Sequence, residues 1–126
     1  MPRERLTNMK TLILLIAVMF VSTGASMPTM KSVAGAFEGE NDDGDIIRIL
    51  LLENGIGQGY TNGEKDREGK WKIVGDEIHA SNEEGTLYAL RINEDSSITL
   101  LAVIDADGER TGLPKDKQTT YKKSKD

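Results

Sequence analysis

Chemistry needs particular side chains at particular spacings, and this chain offers few. His79 is the single histidine and there is no cysteine. A zinc site takes three or four ligands with histidine or thiolate among them, so one histidine does not supply one. The strand pattern around it, Glu77-Ile78-His79-Ala80-Ser81, places His79 on a polar face opposite Ile78 and Ala80. No serine lies in a Gly-x-Ser-x-Gly elbow, so no serine–histidine nucleophile pair is indicated. Asn41-Asp42-Asp43-Gly44-Asp45 and Asp105-Ala106-Asp107-Gly108-Glu109 echo the start of a calcium loop. Counting from Asp105, the position that needs glycine holds Arg110 and the twelfth holds Asp116, so acidic β-turns explain both segments better. The carboxylate pairs Asp42-Asp43, Glu83-Glu84 and Asp105 with Asp107 fall in turns rather than across a cleft, as glycoside hydrolysis would require. Gly55, Gly57 and Gly59 do not open a helix, as a phosphate-binding fingerprint must. The residues therefore predict no catalytic residue, no metal and no cofactor, and the protein reads as a non-enzyme.

The aromatic residues carry a different possibility. Phe37, Tyr60, Trp71, Tyr88 and Tyr121 are dispersed, about one to each strand candidate. Core packing accounts for such a pattern. The functional alternative is a ligand pocket lined by Trp71, Tyr60, Tyr88 and Phe37, with Lys70 and Lys72 snorkelling around Trp71 at a rim.

The elements that would position these side chains are strands. After residue 33 the hydropathy has period two, broken by turn residues every eight to twelve positions. Strand candidates run over 34–40, 45–53, 56–61, 69–74, 77–81, 86–92, 97–105 and 118–122. Asp45–Glu53 is the most apolar, with six aliphatic residues interrupted by Arg48. Asn54-Gly55 is the clearest two-residue hairpin signal. Gly57 and Gly59 suggest a bend, a bulge or a close backbone approach. Asn62–Glu68 reads as an exposed charged loop and Glu109–Lys117 as another. Tyr121 is expected to pack inward from a last edge strand. No stretch after the leader has a 3.6-residue period. The predicted fold is all-β, an antiparallel meander of seven or eight strands closing into a small barrel or half-barrel, with a small β-sandwich as the alternative.

The first 26 residues read as targeting sequence. A basic start at Arg3, Arg5 and Lys10 precedes an apolar run from Leu12 to Val21 and a small-residue exit at Ser22–Ser26. The run is about half the roughly 20 residues a spanning helix needs. Cleavage is expected after Ala25 or Ser26, with translation starting at Met1 or Met9. The division is 1–26 helical signal peptide, 27–33 linker, 34–123 β domain and 124–126 tail. An exported product, periplasmic or extracellular, follows, with no stable membrane anchor after cleavage. Without cysteine it is held by its core alone, and it carries no lipidated cysteine.

Charge excludes further partners. The chain has 16 basic and 21 acidic residues; without Arg3, Arg5, Lys10 and Glu4 it keeps 13 and 20, a net −7. That field disfavours nucleic acid and anionic lipid surfaces.

Gly35-Ala36-Phe37-Glu38-Gly39, Leu52-Glu53-Asn54-Gly55, Gly69-Lys70-Trp71-Lys72-Ile73, Gly75-Asp76-Glu77-Ile78 and Thr119-Thr120-Tyr121-Lys122-Lys123 carry a resemblance. Over Ala34–Lys123 the chain resembles small exported bacterial lipocalin-like domains, and is similar to the N-terminal barrel of envelope copper-resistance-type lipoproteins. The resemblance implies a lipocalin-like barrel. The copper-type family's Cys-x-x-Cys and lipidated cysteine are absent here, so metal sensing and anchoring do not carry over. Lipocalins keep a Gly-x-Trp where this chain has Gly35-Ala36-Phe37.

The leading expectation is a monomeric domain acting through its surface in the cell envelope, by contact with an envelope protein or the cell wall. The alternative is a barrel that binds a small apolar or amphipathic ligand, with a cavity of roughly 300 Å³ or more.

Overall fold

A computed structural model describes residues 27–124; the signal peptide expected over 1–26 and the end of the tail lie outside the described residues. Nine strands follow a one-turn helix α1 (Met30–Val33): β1 (Gly35–Glu40), β2 (Ile46–Leu51), β3 (Ile56–Thr61), β4 (Glu64–Val74), β5 (Glu77–Ser81), β6 (Leu87–Ile92), β7 (Ile98–Ile104), β8 (Arg110–Gly112) and β9 (Thr120–Lys123). β1 to β7 pair in sequence, and β9 bridges β7 and β1. Eight antiparallel strands thus close into a barrel, and β8 extends β7 beyond β9. Closure removes the unpaired edges that a sandwich or half-barrel would leave.

The closing seam is thin. β9 pairs with β7 only through Ile98–Tyr121 and Thr99–Thr120, and with β1 through Phe37–Lys123 and Glu38–Lys122. A buried polar network reinforces it. The Thr99 and Thr120 hydroxyls are 2.8 Å apart, and the Asn93 amide donates to Thr99 Oγ1 at 2.9 Å and Ser97 Oγ at 3.0 Å. Every member has a partner, so the network stabilises rather than penalises burial.

Side chains alternate between barrel interior and outer face. Leu51, Trp71, Ile78, Leu90 and Ile98 point inward and form the core with Phe37 and Tyr121. The turns joining β2 to β3, β4 to β5 and β6 to β7 lie at one end, which is closed. There α1 adds Val33 to the core, and Met30 packs against the core cluster. Thr29 caps α1 reciprocally with Ser32, so the segment expected to be a plain linker ends in a helical turn.

Three turn and loop expectations are corrected. Asn54-Gly55 lies in a longer turn, in which Leu52 C=O accepts from Gly55 N–H at 3.0 Å and Ile56 C=O accepts from Leu52 N–H at 2.9 Å. The two-residue turn falls at Asn62-Gly63, with φ of 50° and 88°. Positive φ at both positions is what a type I′ hairpin requires. As a result 64–68, read as a charged loop, is the first half of β4, paired with β3. Those residues lie where β4 runs along the barrel's open end, so their strand pattern is polar on both faces. Within 109–117, also read as loop, Arg110–Gly112 pairs with β7 and Lys115–Lys117 forms a short 3-10 turn.

Candidate functional site

The barrel is not filled at its other end. A cavity of about 290 Å³ opens between the β1–β2, β3–β4 and β5–β6 turns. Its wall is aliphatic: Ile47 and Ile49 of β2, Leu90 of β6, Ile98 and Leu100 of β7. Polar groups collect at the mouth, where Asn41, Thr61, Asp66, Arg67 and Asn82 line the opening. An apolar interior with a few convergent polar groups is the usual constitution of a small-molecule site.

Small residues make the space. Gly57 and Gly59 face inward from β3, opposite Leu51 and Ile49 of β2. A Cβ on Gly59 would sit 3.3 Å from Arg67 Cβ, so the glycine lets the Arg67 stem lie against the sheet. A register shift in the β3–β4 pairing, where Gly59 meets Arg67 but Tyr60 meets Lys65, leaves Asp66 as an extra residue. Such a bulge re-aims side chains. Here it brings both Asp66 and Arg67 to the mouth. Asp66 accepts from Thr61 Oγ1 at 2.7 Å, while the Arg67 guanidinium lies 5.5 Å from the centre of the Tyr88 ring.

Tyr121 completes the wall from β9. Its ring crosses Gly39, where an added Cβ would come within 2.9 Å of Tyr121 Cδ1. Burial pushes the Tyr121 phenol above its ordinary value, while Thr119 and the positive Arg67 act in the opposite sense. Arg67 and Tyr121 both line the cavity.

The four aromatic candidates separate. Tyr88 lines the cavity beneath Arg67. Tyr60 contributes to the wall through its place in β3. Its register with Arg48 puts its ring on the outer face, and its hydroxyl donates to Gln58 Oε1 at 3.2 Å. Trp71 and Phe37 belong to the closed end and are not on the wall. Trp71 is 3% exposed and donates its indole N–H to Leu52 C=O at 2.8 Å, pinning the β2–β3 turn. Lys70 and Lys72 stand exposed on the opposite face of β4, away from the indole. Phe37 is 1% exposed in the core, with the Lys123 ammonium 5.8 Å from its ring centre.

Arg67, Tyr121 and the aliphatic wall were not singled out from the sequence. Arg67 sat in a segment that read as loop, and the bulge that re-aims it leaves no hydropathy signal. Ile47, Ile49 and Leu100 are indistinguishable by type from residues that fill a core.

On the outer face a second polar cluster forms. Arg110 of β8 forks onto Glu77 of β5, with both N–H···O distances 2.9 Å, and His79 Nε2 is 3.0 Å from Glu77 Oε1. The Arg110 hydrogen bonds, helped by His79, pull the Glu77 carboxyl down to about 2. The fork ties β8 to a strand two places beyond β7, a structural role. Among the described residues no three histidine, aspartate or glutamate side chains gather as a metal site.

No family model, curated protein or solved structure matches the chain.

Proposed function

We propose that this protein is an exported, non-catalytic binding module that holds a small amphipathic molecule in a lipocalin-like barrel. One observation carries the reading: the barrel's interior is open at one end, apolar within and polar at the rim. At the packing density of protein interiors, 290 Å³ suits a ligand of on the order of 10–15 non-hydrogen atoms. The walls suit an apolar body and the mouth suits a polar head. The closed eight-strand meander supports the lipocalin-like architecture without specifying a ligand.

The reading based on surface contact has less to rest on. Among the described residues the exposed large apolar side chains are Met27, Ile46 and Val74. Ile46 lies at the open end and Val74 at the closed end, so these two belong to no continuous patch of the kind that marks an interface.

Native mass spectrometry of the full chain, purified after export, tests the proposal. A reproducible extra mass of about 150–250 Da, lost on denaturation, is the expected result for a ligand of this size. A clean apo mass that also fails to shift with added medium-chain amphiphiles would return the surface reading to first place.

A further inference from the structure

The cavity reading leaves open what head group the mouth accepts, and the mouth's own partners decide between the choices. The charged residues on its lining, Asp66, Arg67 and Glu68, are not in the same state. Asp66 is engaged by the Thr61 hydroxyl at 2.7 Å. Glu68 likewise pairs with Lys65 on the outer face and accepts from Gln58. Arg67 has neither an ion pair nor a hydrogen bond from its guanidinium among the described residues, although acidic residues outnumber basic ones in the chain. Its charge rests on the face of Tyr88, 5.5 Å from the ring centre, which holds the guanidinium in place without using its N–H donors. Tyr121, which also lines the cavity, supplies a second polar group.

A planar guanidinium with free donors, its charge over an aromatic ring at the entrance of an apolar cavity, matches a carboxylate better than any neutral head. Resting on the cavity reading above, we infer that the site takes a medium-chain carboxylate, its head group forked onto Arg67 beside Tyr121 and its chain along Ile49, Leu90 and Leu100. A cationic head would be drawn by the Asp66 carboxylate, which already accepts from Thr61, but would also face the Arg67 charge directly.

The test is isothermal titration of the full chain with decanoate, decanol and decylammonium, each below its micelle concentration, repeated on Arg67→Gln. Circular dichroism confirms that the variant is folded. Decanoate should bind about tenfold more tightly than decanol, as a partly exposed charge-assisted hydrogen bond provides. Arg67→Gln should bring decanoate to the level of decanol and leave decanol unchanged. Equal binding of decanoate and decanol to the unmodified protein, or tightest binding of decylammonium, would overturn the carboxylate inference while leaving the cavity reading intact. Binding of none of the three would overturn both.

Discussion

The Arg67 stem lies across Gly59: a methyl group added at Gly59 would stand 3.3 Å from Arg67 Cβ and 3.6 Å from its Cδ. The two residues are register partners in β3 and β4, one step before the bulge. The glycine therefore has a purpose beyond flexibility, because it leaves the slot in which the arginine reaches the mouth. Gly59→Ala should push the stem off the sheet by a few tenths of an ångström, at a cost of about 1 kcal/mol in stability. The guanidinium should leave the Tyr88 face, and a chemical-denaturation curve together with the Tyr88 ring NMR shifts would register both effects. An unmoved Tyr88 resonance would show that the slot is not what places Arg67.

The cavity wall can be filled from within. Ile49 faces inward opposite Gly59, so Ile49→Phe adds volume into the 290 Å³ space rather than into packed core. Burying the extra apolar surface should raise stability by up to about 1 kcal/mol. The same substitution should weaken binding of a cavity ligand at least tenfold, by occupying its room. Thermal melts and titration of the same sample separate these effects. A lower melting temperature would mean the interior is already packed.

Trp71 offers the converse test, since it is buried and lies away from the wall. Trp71→Phe removes the 2.8 Å bond to Leu52 C=O, whose remaining partner is Gly55 N–H. Loss of one buried hydrogen bond and some ring volume should cost about 1–2 kcal/mol. Ligand affinity should stay within about twofold. A large loss of affinity at unchanged stability would move the site to the closed end.

Acid should loosen the β8–β5 tie. Glu77 is held at about 2 when folded, against an ordinary value of 4.5. A depressed carboxyl contributes stability above its unfolded value and loses it as pH falls through the folded value. The contribution is therefore complete above about pH 5 and fades between about pH 4.5 and 2. Because Arg110 is 44% exposed, solvent screening reduces it to about 1 kcal/mol. Arg110→Gln should flatten that part of the stability–pH curve and leave the curve above pH 5 parallel to that of the unmodified protein.

The sequence made the architecture legible because its physical signal is strong. Ile47, Ile49 and Leu51 alternate with Arg48 and Leu50, and turn residues such as Asn41, Asn82 and Asp105 punctuate the strands. Their side-chain oxygens accept backbone N–H groups two and four residues on, at 2.9–3.0 Å, which explains why these types recur there. The choice between Asn54-Gly55 and Asn62-Gly63 was not legible, because two identical dipeptides differ only in the pairing around them. Tyr88 could be proposed from its type, but its separation from Trp71 could not. Whether an inward aromatic fills space or borders it depends on the summed volume of all its neighbours. Arg67 was hidden for a related reason: a bulge is a property of two strands together.

The most direct test of the account follows the aliphatic methyl groups by NMR while decanoate is added to the full chain. Saturable shifts are expected at Ile47, Ile49, Leu90 and Leu100, with Ile46 and Val74 on the outer face unmoved. Shifts confined to Ile46 or Val74, or no saturable shift at the four interior residues with decanoate, decanol or decylammonium, would contradict a ligand-holding barrel.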